Sequence, residues 1–128
     1  MEDEIILIDT SILIDYFRKK DKSKATFTIL ARDHSKIAVS VITEFEILVG
    51  STPAQETFWK EIFSQLMVLD FDRNCASIAS QIQKELKRKN KIIAVPDLLI
   101  AATSINYELR LATKNLKHFN RVDGLKTF

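Results

Sequence analysis

Hydrophobic and polar positions alternate between two rhythms along this chain, short solid apolar runs and longer stretches of helical period. Ile5–Ile8 is an uninterrupted apolar run, which predicts a strand buried on both faces. Ser11–Arg18 then reads as a short helix, and a second helix is expected over Ser23–Arg32 with Phe27, Leu30 and Ala31 on one face. Ile37–Val39 predicts the second strand. Ser40 caps a helix in which Ile42, Phe45, Leu48 and Val49 recur at helical spacing, and Gly50 ends it. Pro53 marks another helix start, followed by the stripe Trp59, Ile62, Phe63 and Leu66; Met67–Leu69 is a third strand. Asp72 or Asn74 opens the longest helix, with Cys75, Ala79, Ile82 and Leu86 in period. Ile92–Val95 is expected to be extended, because the residue before Pro96 is biased away from helix. Asp97 falls in the first turn of a helix reaching Asn106 or Tyr107. Leu111–Thr113 is a short strand, Lys114–Phe119 a turn or brief helix, and Leu125–Phe128 a last edge strand.

Strands alternating with helices in this way predict an α/β fold, a three-layer α/β/α sandwich around a mostly parallel sheet. The 128 residues read as one domain, 1–128, long enough to bury roughly two thirds of the surface of the unfolded chain. The longest apolar stretch, Leu98–Ala102, is far short of the ~20 residues that span a bilayer. Met1-Glu2-Asp3-Glu4 lacks the positive start of a secretory signal, and a lone Cys75 cannot form an internal disulfide, so a cytoplasmic location is expected. The net charge of +2 is too small to argue for a nucleic-acid partner by itself.

Three acids change the picture. Asp9, Glu44 and Asp97 each sit where an apolar run gives way to a helix start, and an open parallel sheet gathers such junctions at one edge. One Asp or Glu at a helix start is more often a cap than a ligand, but several at compatible junctions predict an acid-lined pocket. Clustered carboxylates repel one another and recruit a cation, and oxygen-only donors select Mg²⁺ or Mn²⁺. With two histidines and one cysteine, no zinc spacing exists. A hard cation of this kind activates water for attack on phosphorus, which makes phosphodiester hydrolysis the natural reaction. Glu46 is assigned to solvent, Asp15 is expected to face elsewhere, and His118 is read as a partly exposed structural histidine.

The segments Asp9-Thr10-Ser11, Thr43-Glu44, Pro96-Asp97-Leu98-Leu99-Ile100-Ala101-Ala102 and Leu111-Ala112-Thr113-Lys114-Asn115 with Phe119 resemble a PIN-domain ribonuclease of the VapC-like toxin type, over nearly the whole chain. That resemblance implies a PIN fold, a Mg²⁺- or Mn²⁺-dependent endoribonuclease, a homodimer, and a cognate VapB-like antitoxin whose C-terminal segment blocks the pocket. Carried over by position, Asp9, Glu44 and Asp97 match the acidic triad, and Asn115 stands where many relatives have a fourth acid. Thr10, Ser11 and Thr113 would orient carboxylates or metal-bound water. Lys114, Lys117 and Arg121 are candidate RNA-binding residues.

Two other functions remain open on the residues alone. A phosphoacceptor receiver-like domain shares the length, a Mg²⁺ site and acids at strand ends, although the first strand offers only Asp9 rather than an acidic pair. A PIN-like interaction module without turnover would keep the fold and bind partners.

Overall fold

In the computed structural model, which describes residues 4–128, strand β1 (Ile5–Ile8) is the spine of a four-stranded sheet. It pairs in parallel with β2 (Lys36–Ser40) on one side and with β4 (Arg110–Ala112) on the other, while β3 (Met67–Leu69) lies outside β2. The order is therefore β3-β2-β1-β4, and every pairing is parallel. The chain builds outward from β1 to β3, then returns across the sheet to β4. That reversal opens a crevice at the C-terminal ends of β1 and β4.

Residue alternation along β1 splits the core in two. Ile6 and Ile8 face one layer with Ile12 and Leu13 of α1 (Thr10–Arg18) and Trp59 and Phe63 of α4 (Pro53–Ser64), whereas Leu7 faces α5 (Arg73–Arg88) and α6 (Val95–Asn106) through Ala79, Leu86, Leu98 and Ile100. This is the reason for the solid apolar run, and it gives the expected three layers. The first layer is completed by α2 (Thr26–Asp33); α3 (Val41–Val49) joins β2 to α4, and the brief α7 (Leu116–Phe119) follows β4. Phe17 of α1 packs against Phe58 and Trp59 of α4 with ring centroids 5.6 and 5.4 Å apart, fixing α1 over the sheet.

Helix ends follow the sequence signals closely. Ser40 and Asp72 cap α3 and α5 by accepting the N–H groups of Ile42 and Cys75, and Thr52 with Gln55 forms a capping box at α4. Burial raises the Cys75 thiol pKa, in keeping with the small core position its neighbours suggest. No helix among the described residues is long and apolar enough to cross a membrane. The acidic start Met1–Asp3 lies outside them.

Four local expectations are corrected. The helix expected from Ser23 is a 3-10 turn, Lys22–Lys24, then α2 from Thr26, because extended Ala25 separates them; Ala31 is exposed. Ile92–Ala94 joins no strand, and Val95 is already the first residue of α6, with Ala94 taking the extended conformation instead. The last strand is reduced to one bridge, Thr127 against Leu111, held by Leu111 N–H to Lys126 O at 2.8 Å and Phe128 N–H to Leu111 O at 3.1 Å. On α3, Phe45 and Val49 are 66% and 70% exposed, so the buried face of that helix is not the one their periodicity suggests.

Leu7 has no exposed surface and is enclosed by α5 and α6. Leu7→Ala is expected to destabilise the fold by about 2–5 kcal/mol in urea unfolding, through lost burial and an unfilled cavity. A cost below about 1 kcal/mol would show that β1 is not packed between two layers.

Candidate active site at the switch between β1 and β4

Asp9 ends one element and starts the next. Its N–H extends the ladder to Ala112 O at 3.2 Å, and its side chain caps α1 by accepting the Ile12 N–H at 3.3 Å. The residue is 2% exposed. Ser11 Oγ donates to its Oδ1 at 2.6 Å and Thr113 Oγ1 donates to its Oδ2 at 2.5 Å. Each hydroxyl is in turn positioned by the turn after β4, because Lys114 N–H donates to Ser11 Oγ at 3.0 Å and Asn115 N–H to Thr113 Oγ1 at 2.9 Å. Two relays thus run from consecutive backbone amides through two hydroxyls to the two oxygens of one carboxylate.

Burial raises the Asp9 pKa above the ordinary carboxylate value, the hydrogen bonds from Ser11, Thr113 and Ile12 pull it back, and the charge of Asp97 pushes it further up. Asp97, in the first turn of α6, is also raised by burial and is partly relieved by His118, whose Nδ1 lies 3.6 Å from Asp97 Oδ2. His118 is therefore the neighbour of an acid and not merely a surface histidine. Among the described residues, no three His, Cys, Asp or Glu side chains stand close enough to hold a metal ion as they lie. The donor chemistry of Asp9 and Asp97 nonetheless fits a hard cation, since Mg²⁺ is commonly held by one or two carboxylates with water and substrate oxygens completing its shell.

The third acid is where the helix phase matters. Glu44 and Glu46 are two residues apart on α3, roughly 200° around a helix, so they point to opposite sides. Glu46 is the one tied to the β1 end: Thr10 Oγ1 donates to Glu46 Oε1 at 2.6 Å and shares a hydrogen bond with Thr43 Oγ1 at 3.0 Å. The solvent assignment of Glu46 is thus corrected, while Glu44 makes no side-chain hydrogen bond or ion pair among the described residues. Buried Thr43, one turn before Glu46, is the signal in the sequence that marks this face.

The basic candidates separate as well. Lys114 flanks the site and lies 3.9 Å from Asp15 Oδ1, Lys117 is exposed on α7, and Arg121 turns to another surface, donating to Ile92 O at 3.0 Å. Asn115 is exposed and precedes α7, its backbone N–H serving the Thr113 relay. Asp15, expected to face elsewhere, is turned toward Lys114 and also accepts the Thr26 N–H at 3.3 Å.

Asp9 destabilises the folded state wherever it is ionised, because its folded pKa is raised. The stability it allows is complete below about pH 4 and is lost as pH rises through the raised value. In metal-free buffer, Asp9→Asn is expected to melt at or above the wild-type temperature at about pH 7, with the gap closing toward about pH 4. A variant that melts lower at neutral pH and keeps that deficit in acid would contradict the charge-burial account.

The PIN domain family model matches residues 6–125. Ribonuclease VapC1 of Methanocaldococcus jannaschii is 34% identical over 99% of this chain and 89% of the relative. The tRNA(fMet)-specific endonuclease VapC of Shigella flexneri is 29% identical over 94% of each chain. A chain in the crystal structure of VapBC2 from Rickettsia felis, bound to a promoter DNA fragment, superposes with a TM-score of 0.82 at 31% identity over 97% of both chains. With this agreement in sequence and backbone, the receiver-like alternative is set aside. An acid-bearing crevice at the β1–β4 switch, on a fold matched from end to end, identifies the chain as a member of the PIN-domain family, within the VapC ribonucleases of toxin–antitoxin systems.

Proposed function

We propose that the chain hydrolyses RNA phosphodiester bonds at the β1–β4 crevice, with Asp9 and Asp97 holding a Mg²⁺ or Mn²⁺ ion. One observation carries the reading: a buried carboxylate kept in place by three donors, beside a second carboxylate whose repulsion a divalent cation would relieve. When bound, such an ion lowers the pKa of a water and offsets the charge gathering at phosphorus. The protein's own part is orientation. Ser11 and Thr113 keep both Asp9 oxygens at fixed angles, and His118 supports the ionised form of Asp97. Glu46, anchored through Thr10, takes the role of the third acid in place of Glu44, leaving Asn115 to contribute a neutral carbonyl oxygen at the rim.

Transfer RNA is the first substrate to try, given the specificity that the Shigella flexneri relative carries in its name. The reading includes one domain over 1–128, a cytoplasmic setting consistent with the free, buried Cys75, and a VapB-like antitoxin as partner, as in the VapBC complex of Rickettsia felis. Exposed Phe45 and Val49, one turn apart on α3, offer apolar area suited to a homodimer interface.

Purified protein is expected to cleave RNA with Mg²⁺ and to stop in EDTA; binding without products would indicate an interaction module. Asp9→Asn should lose most activity. Glu46→Gln is expected to cost more activity than Glu44→Gln, by about tenfold or more, and the reverse order would return the third acid to Glu44. Asn115→Asp is expected to tighten Mn²⁺ binding in calorimetry, and an unaltered affinity would remove residue 115 from the ion's surroundings.

A further inference from the structure

Beside the acids lies a cleft that the nuclease chemistry above does not use. It has a volume of about 510 Å³ and is lined by Ser11, Ile14, Asp15, Arg18, Lys19 and Lys114. Three cations share it with one carboxylate. Asp15, with a side chain only 15% exposed, holds Lys19 Nζ at 3.8 Å and Lys114 Nζ at 3.9 Å, and its other oxygen accepts the Thr26 N–H. The lysines are drawn over the cleft but not neutralised, since one negative charge faces three positive ones. Ser11 connects this space to the site, because the hydroxyl that donates to Asp9 also accepts the Lys114 N–H.

We propose that this cleft receives a backbone phosphate of the RNA substrate beyond the bond being cut, bound by Arg18, Lys19 and Lys114, with Asp15 as a positioning residue. The proposal rests on the nuclease reading and adds to it the path of the chain. An acid-lined crevice repels a polyanion, so RNA needs compensating positive charge close by, and this is the cationic cleft joined to Asp9 by hydrogen bonds. Arg18 and Lys19 are exposed at the end of α1, where a phosphate can reach them without rearrangement of the core. Arginine suits the role through its paired donors, and lysine as a movable charge.

The test measures RNA binding in the Asp9→Asn background with EDTA present, so that neither cleavage nor metal enters the reading. Fluorescence anisotropy with a labelled single-stranded RNA is followed across a salt series. Arg18→Ala with Lys19→Ala is expected to weaken binding roughly tenfold or more. The same double variant should reduce the slope of log affinity against log salt by about 0.7 for each phosphate that is no longer neutralised. Lys84→Ala, which removes one charge from the exposed face of α5, is expected to leave both quantities as they are. Asp15→Asn, which keeps an acceptor for Thr26 but frees the lysines, is expected to change the affinity while preserving the slope. Wild-type affinity and slope in the Arg18/Lys19 double variant would overturn the proposal. So would a double variant that fails to bind oligo-glutamate while RNA binding stays intact, which would assign the cleft to an acidic protein segment. Failure of the nuclease reading is seen separately, as wild-type protein that binds RNA in Mg²⁺ without forming products.

Discussion

The arrangement of the site depends on keeping one ionisable carboxyl group inside a sheet edge. Asp9 cannot move outward without cost, because its N–H is committed to β4 and its carbonyl and side chain both accept the Ile12 N–H in the first turn of α1. Strand pairing, helix initiation and the placement of the acid are therefore one event. β1 is an inner strand with partners on both sides, and its Ile6–Ile8 are fully buried, so the acid that follows is held on a rigid part of the fold.

Burying a charge is unfavourable unless its oxygens are satisfied, and the polar residues around Asp9 are arranged accordingly. Ser11 and Thr113 come from elements at opposite ends of the chain, yet each serves one oxygen. The aromatic packing of Phe17 on Phe58 and Trp59 holds α1 against α4, which keeps Thr10 and Ser11 facing the crevice. The hydrophobic layers thus act on the chemistry by fixing the direction of two hydroxyls.

Much of this was legible from sequence where a residue's role is set by its immediate neighbours. The solid run Ile5–Ile8 indicated a doubly covered strand, and Ser40, Gly50, Pro53 and Asp72 marked helix boundaries through local hydrogen bonding. Asp9 and Asp97 stood out because each joins a strand or loop to a helix. Helix phase was harder. Phe45 and Val49 suggested a buried face for α3 that they do not occupy, and that phase hid the contact of Glu46 with Thr10. Apolar residues left exposed carry no mark in the sequence, whereas Thr43 at helical spacing from Glu46 did carry one. Long-range pairs such as Asp15 with Lys114, or His118 with Asp97, depend on which strands become neighbours and could not be read from either segment alone.

The two relays that steady Asp9 begin at the amide hydrogens of Lys114 and Asn115. Proline has no such hydrogen, so the turn after β4 is closed to it at both positions even though the side chains there are exposed. A surface loop that looks free to vary is in fact restricted through its main chain, and the tolerance of the fold to substitution at 114 and 115, as distinct from that of the activity, should follow backbone chemistry before side-chain character.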